Sequence, residues 1–393
     1  MWKPPPSSTP KYKDNMKVIL SINAIKPPLT GIGRYTSELA TGLMNSPEVS
    51  HLRFLREGRW APLPNLVEPV NSAKTALRKR LLRSSLAVGA YNLIAPQLLK
   101  QKLRGFADHV YHGPNFYLPP FDGISIATIH DLSIYLFPQH HPQERVSFMQ
   151  RQIDITMARA HFLITDSEHT RQEVIKIFKW PEDRIYSVHL GVAKEFHPRQ
   201  EPELRGLLAK HNLVFNQFTL CVSTIEPRKN LDTLLRAYKL LPDQIKLRCP
   251  LVLVGGKGWD SLPTYTMINE GASSGWLRYL GYVSEDELPL LYAAARGFAY
   301  PSIYEGFGLP IAEAMASGLP ILVSNSSCLP EVASEAGSCI DPQDELRWKD
   351  ALERMITDDA WSASERLKSL VVAIQYDWKN TVLKTVEIYK KCS

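Results

Sequence analysis

No apolar run in this 393-residue chain approaches the roughly 18 residues that a membrane-spanning helix needs. Residues 1–15, MWKPPPSSTPKYKDN, lack the apolar stretch of a secretory signal and read as a loose polar tail. Cysteine is scarce and odd in number: Cys221, Cys249, Cys328, Cys339 and Cys392, with no C-x-x-C pair. That speaks against a disulfide framework and a cysteine-rich zinc site, and favours a reducing, cytoplasmic setting. No D-x-D triplet and no His/Glu zinc spacing occurs, so a metal-held diphosphate is not expected. A complete G-x-G-x-x-G fingerprint is also missing, which disfavours a nicotinamide oxidoreductase. Acidic residues are absent between Glu68 and Asp108.

That last gap holds Lys74, Arg78, Lys79, Arg80, Arg83, Lys100, Lys102 and Arg104, interleaved with leucines. The stretch 74–104 reads either as a basic amphipathic helix for an anionic membrane surface or as a solvated helical face over a core stripe. The net charge of +6 is modest and gives no indication of nucleic acid.

The composition is that of a globular protein, and the length suits two domains. Short apolar runs alternate with helical patterns. In the second half, strand-like 218–224, 251–256, 279–283, 297–302 and 320–325 enclose helix-like 230–240, 285–295 and 310–317. The first half repeats this more loosely with 17–25, 109–114, 124–132, 162–168 and 186–192. Continuous apolar strands between helices mean parallel sheets covered on both faces. The polar, proline-containing segment 192–204 is the linker candidate. Two doubly wound α/β domains would place a ligand where strand C-termini face a cleft.

Four segments carry candidate chemistry. In YPSIYEGFGLPIAEAMASGLPIL (300–322), a strand runs into a glycine turn holding Glu305, and Pro310 suits the first position of the helix that holds Glu313. Amides at that helix start form an anion site. In CVSTIEPRKNLD, Arg228 and Lys229 stand between a strand end and a helix, where two cations suit a diphosphate. Asn230 reads equally as a plain helix cap. In PPLTGIGRYT, Gly31 and Gly33 occupy a loop before a helix, and Arg34 follows them. In ATIHDL, His130 and Asp131 follow a strand end; a histidine there serves as acid, base or hydrogen-bond donor, or is simply structural. Asp166, Ser167 and Glu168 look like a capped helix start and are read as structural.

Together these motifs resemble the retaining glycosyltransferases of family 4, which have the GT-B fold. The Glu-x7-Glu spacing of Glu305 and Glu313, the EPRKN segment, the glycine loop before Arg34 and His130-Asp131 carry the resemblance. It runs from Met16 to the end, strongest over 218–342 and weakest over 50–107. It implies an acceptor-binding domain at 16–195, a nucleotide-sugar-binding domain at 205–375, and a closing helix at 376–393 that crosses back to the first domain. By the same resemblance Arg228 and Lys229 grip the diphosphate and Glu305 binds the donor sugar. Glu313 binds the ribose, and amides near Phe307, Gly308 and Leu309 meet sugar and phosphate. Gly31 and Gly33 let the loop approach the diphosphate, and His130 lies beside the transferring sugar. A base pocket is expected near Gly281–Val283. Ser223 stands where many members carry an arginine, so phosphate charge would rest more on Arg228 and Lys229. The nearest branch is that of bacterial mannosyl- and rhamnosyltransferases of surface polysaccharide assembly. GDP-mannose is the first donor expected, a UDP- or dTDP-sugar the second, with no metal and a glycan or lipid-linked acceptor. Location is expected to be cytoplasmic, with peripheral contact at the inner membrane face. An epimerase of the same fold and a non-catalytic nucleotide-sugar-binding subunit are the competing readings.

Overall fold

A computed structural model describes residues 16–26, 29–64, 96–259 and 261–392. Two parallel α/β sheets organise them. The first has the order β3-β2-β1-β4-β5-β6-β7. Its strands are β1 (Met16–Ser21), β2 (Val49–Arg56), β3 (Arg59–Trp60), β4 (Val110–Gly113), β5 (Ile124–Ile129), β6 (Phe162–Thr165) and β7 (Ile185–Ser187). Among the described residues only the β2–β3 pairing is antiparallel. The second sheet has the order β10-β9-β8-β11-β12-β13. It contains β8 (Thr219–Val222), β9 (Leu251–Val254), β10 (Leu277–Gly281), β11 (Gly297–Tyr300), β12 (Ile321–Ser324) and β13 (Ser338–Ile340).

Every residue of β4, β5, β9, β11 and β12 is buried. Strands covered by helices on both faces must be apolar throughout, which is why they read as unbroken runs. Strand order reverses between β1 and β4 in one sheet and between β8 and β11 in the other. Crevices open at such reversals beyond the strand C-termini. Arg228 and Lys229 follow β8, and Glu305 follows β11, so both segments border the second crevice.

The chain crosses between the halves twice, side by side. Val192 N donates to Tyr376 O at 3.0 Å, and Val192 pairs with Asp377. A side chain at Gly191 would stand 2.1 Å from Trp378 N, so this crossing requires glycine. Helix Trp378–Cys392 then packs on helix Gly31–Met44 in the first half. The Tyr389 hydroxyl and His112 Nδ1 are hydrogen-bonded at 2.5 Å, and burial holds that histidine's pKa down to about 3, hence neutral.

Four local expectations need correction. The glycine segment is not a loop: the helix begins at Gly31, where the Thr30 side chain accepts from Gly33 N at 3.3 Å. Segment 192–204 is not all linker, because Phe196 is buried and a helix starts at Glu201. There Gln200 N donates to Glu203 Oε1 at 2.9 Å, a capping-box contact. The strand expected at 279–283 lies two residues earlier, since Gly281 adopts φ +67° and turns the chain out. Pro310 is the second, not the first, residue of helix Leu309–Ala316, because Gly308 caps it at φ +89°. Of the basic stretch, residues 74–95 lie outside the described residues, as does the tail 1–15. Residues 96–103 are helical, and Lys100 is 3.5 Å from Asp122.

Candidate active site

The segment after β8 is pinned before it presents its cations. Asn230, at φ +52°, makes no capping bond; its Nδ2 donates to Pro301 O at 3.1 Å and Pro342 O at 2.7 Å. Ile303 N donates to Arg228 O at 2.9 Å. These bonds lock the β8 loop to the β11 loop and set Arg228 and Lys229 beside Glu305.

Glu305 is the hub of this cluster. Its carboxylate accepts from Lys229 Nζ at 2.6 Å, Ser302 Oγ at 2.6 Å, Tyr300 OH at 3.0 Å and Arg228 Nη1 at 3.0 Å. Arg228 Nη2 donates to Glu226 Oε1 at 2.8 Å, and Nη1 also donates to Tyr304 O. Burial alone would raise the Glu305 pKa, but Arg228 and then Lys229 outweigh it and hold the carboxyl at about 2. Two carboxylates thus face two cations, so the cluster is formally neutral rather than an open cationic patch.

Glu313 is a contrasting acid. It is buried on helix Leu309–Ala316 among Ile311, Ala312, Ala314 and Met315. Burial pushes its pKa up to about 7, offset in part by Arg34 and the Tyr292 hydroxyl. Arg34 comes from the other half of the molecule, and its Nη2 lies 3.4 Å from Glu285 Oε2. Phe307, between the two acids, is buried against the rings of His189 at 5.8 Å and Tyr376 at 5.6 Å. Its side chain therefore packs at the domain crossing, leaving its backbone for the site. Leu309 opens the helix, half-buried.

Across the cleft, His130 follows β5. Its Nδ1 lies 2.6 Å from Asp166 Oδ2, and its Nε2 donates to Pro114 O at 3.0 Å. Burial opposes a charge on the ring, but Asp166 outweighs it and raises the His130 pKa. With both nitrogens engaged, the ring cannot serve as acid or base without turning. Asp131 accepts from Ser133 N at 2.8 Å and adds its field to that of Glu305 at Arg228.

The two halves meet at Gly306. A side chain there would stand 1.6 Å from His130 O. Gly306 O accepts from Ser167 Oγ at 2.7 Å and Thr170 Oγ1 at 3.3 Å. Nearby, Glu331 accepts from the backbone amides of Glu168 at 2.8 Å and His169 at 3.0 Å, and from His189 Nε2 at 2.7 Å. A carboxylate from the second half thus caps a helix of the first.

A family model described as glycosyl transferases group 1 matches residues 210–370. Over 379 residues the chain is 39% identical to the O-antigen chain mannosyltransferase B of Escherichia coli, covering 95% of this chain and 100% of that one. The chain belongs to the group 1 glycosyltransferases. Among solved structures, the lipopolysaccharide glycosyltransferase WaaG superposes with a TM-score of 0.70 at 17% identity, covering 94% of this chain and 99% of that one. Anabaena HepE in complex with UDP-glucose gives 0.69 at 17% identity, covering 95% and 98%. At that identity these two establish the fold, which is GT-B.

In this glycosyltransferase the structure gathers Arg228, Lys229 and Glu305 into one cluster, with Phe307, Gly308, Leu309 and Glu313 on the helix start behind it. His130 and Asp131 reach the same cleft from the other half. A Cβ added at Gly31 would have no atom within 4 Å, whereas one added at Gly33 would stand 3.0 Å from Ala24 O. Sequence reasoning missed Glu226, Ser302, Tyr300 and Glu331, and did not show that Asp166, read as structural, is the buried partner of His130. The signal for Asp166 was its place just past an apolar strand, the same argument that singled out His130.

Proposed function

We propose that this glycosyltransferase moves mannose from GDP-mannose to a hydroxyl of a growing surface glycan, free or lipid-linked, with retention of configuration and no metal. The observation that carries the reading is the Glu305–Arg228–Lys229 cluster at the β8 and β11 C-termini, facing His130 and Asp131 across the cleft. The 39% identity to an O-antigen chain mannosyltransferase supports the sugar and the polymer. The second half binds the donor and the first half the acceptor.

In this reading the C1–O bond of the donor breaks with its electrons on the leaving phosphate oxygen. The acceptor oxygen bonds to C1 on the same face, and its proton passes to the leaving diphosphate. Arg228, Lys229 and the amides of Phe307, Gly308 and Leu309 meet the developing phosphate charge. Loss of one such donor costs about 10²–10³ in rate. Glu313 and the Gly31–Arg34 turn hold the remainder of the nucleotide. No helix among the described residues is long and apolar enough to cross a membrane. The basic stretch 74–104 would bring the enzyme to an anionic membrane face, where each charge contributes on the order of 1 kcal/mol.

The test is a thermal-shift panel of GDP, UDP, dTDP and ADP, each with EDTA and with Mg²⁺. A shift with GDP that EDTA leaves unchanged is the expected result; at a hundredfold excess over Kd it corresponds to about 2.7 kcal/mol. A shift with UDP alone changes the donor, and no shift with any nucleotide removes the donor-site assignment.

A further inference from the structure

The cations of the donor site already hold an anion, and it is part of the protein. Glu305 Oε1 is 2.6 Å from Lys229 Nζ, and Oε2 is 3.0 Å from Arg228 Nη1. These are positions that phosphate oxygens would use. A diphosphate that takes these two donors must share them with Glu305 or displace it, while the Arg228 Nε, which has no hydrogen-bond partner among the described residues, is open to phosphate in either case. A buried carboxylate stripped of its cations is strongly unfavourable unless new donors replace them. Ser302 Oγ and Tyr300 OH remain, but both bond the oxygen that faces Lys229. The oxygen facing Arg228 loses its charged partner.

The two ligands of such a site differ in what they return. Phosphate oxygens of a free nucleoside diphosphate only accept, so they give Glu305 nothing. Both ligands carry ribose hydroxyls, but only the intact nucleotide sugar adds hydroxyl donors on the sugar beyond the diphosphate, and these can take the place of Arg228 and Lys229 on the carboxylate. We infer that Glu305 is the specificity-determining residue that separates intact donor from free nucleoside diphosphate: it yields its two cations only to a ligand whose hydroxyls replace them. When transfer has moved the sugar to the acceptor, those hydroxyls leave with it. Glu305 then reclaims Arg228 and Lys229, and the product diphosphate is discharged. This rests on the nucleotide-sugar reading of the site.

Glu226 supplies the internal comparison. It bonds Arg228 from the other edge, at Nη2. Glu226→Gln relieves negative charge toward both ligands alike, whereas Glu305→Gln relieves it selectively toward the one that has no sugar.

The experiment is calorimetric titration in the cold, without acceptor, of GDP and GDP-mannose, with UDP and UDP-glucose as a second pair. The proteins are the wild type, Glu305→Gln and Glu226→Gln, each checked for cooperative unfolding. The wild type is expected to bind the sugar nucleotide about tenfold more tightly than the diphosphate, the low end for one charge-assisted hydrogen bond. Glu305→Gln is expected to bind the free diphosphate about tenfold more tightly than the wild type does, and the sugar nucleotide no more tightly. Glu226→Gln should shift both affinities by one common factor. Equal wild-type affinities for the two ligands overturn the inference without any variant. So does a Glu305→Gln protein in which both affinities move together or the diphosphate does not tighten. If the wild type binds neither pair, the nucleotide-sugar reading itself falls, and this inference with it.

Discussion

His130 Nδ1 and Asp166 Oδ2 stand 2.6 Å apart, with side chains only 12% and 4% exposed. The pair shares a proton away from solvent. Burial raises the Asp166 pKa even against the pull of His130, while Asp166 raises that of His130 against burial. Asp166→Asn keeps the shape and removes the charge. Burial then opposes the ring charge with only the Pro114 carbonyl and the field of Asp131 against it, so His130 should give up its proton at a lower pH than in the wild type. Histidine ring NMR over a pH series reads this directly; an unchanged titration contradicts the pairing. The sign for stability follows. A histidine raised by its partner stabilises below its unfolded pKa, and that contribution disappears as pH rises through the folded one. Asp166→Ala leaves a buried ring charge uncompensated and should cost about 3 kcal/mol in urea unfolding at mildly acid pH.

Gly306 permits the approach of the two halves. A methyl there would meet His130 O at 1.6 Å, and the obstacle is backbone, not a side chain that could swing away. Gly306→Ala should therefore force the Glu305 turn off His130 and lower turnover roughly 10²-fold, the cost of about 1 Å of misplacement. Small-angle scattering should show a more open particle. Gly31→Ala is the contrasting variant, since no atom lies within 4 Å of the added methyl. It should fold and stay closed, so any activity it loses reports on the ligand. Normal turnover by Gly306→Ala would mean that the halves work without this contact.

Much of the fold was legible because buried parallel strands are apolar nearly end to end: LVLV over β9 and ILVS over β12 read as strands once their short length and the helical patterns between them are taken together. Strand ends then pointed to Arg228, Lys229, Glu305 and His130. What each side chain bonds to was hidden. Lys229 and Glu305 are 76 residues apart and His130 and Asp166 are 36 apart, and nothing in local spacing joins them. The cations therefore looked free for phosphate when Glu305 and Glu226 already neutralise them. Asp166, Ser167 and Glu168 do mark a capped helix start, with the Ser167 oxygen accepting from Thr170 N at 3.1 Å; what the local pattern hid is that Asp166 reaches His130. The helix start at Gly31 was obscured because glycine is a poor helix former, and only the Thr30 cap offsets that. Gly281 ended a strand early by taking a backbone conformation that no propensity reveals.

Glu313 gives the clearest pH test. Its carboxyl titrates near 4.5 when unperturbed but is pushed up to about 7 by burial in the folded chain. A folded pKa above the unfolded one means that the native state binds more protons between those two values. Stability should therefore fall as pH rises through that window and level off above it. Glu313→Gln removes the titration while keeping the shape and a hydrogen-bonding amide. Against the wild type the variant should be about equal near pH 4 and ahead by roughly 3 kcal/mol near pH 8, since a tenfold change in proton affinity is about 1.4 kcal/mol. Urea unfolding at several pH values measures the gap, and a gap that does not grow means that Glu313 is not a buried ionising acid. Bound nucleotide should narrow it, because ribose hydroxyls would give the carboxylate donors that burial denies it. A gap unaffected by nucleotide would take Glu313 out of the donor site while leaving its burial intact.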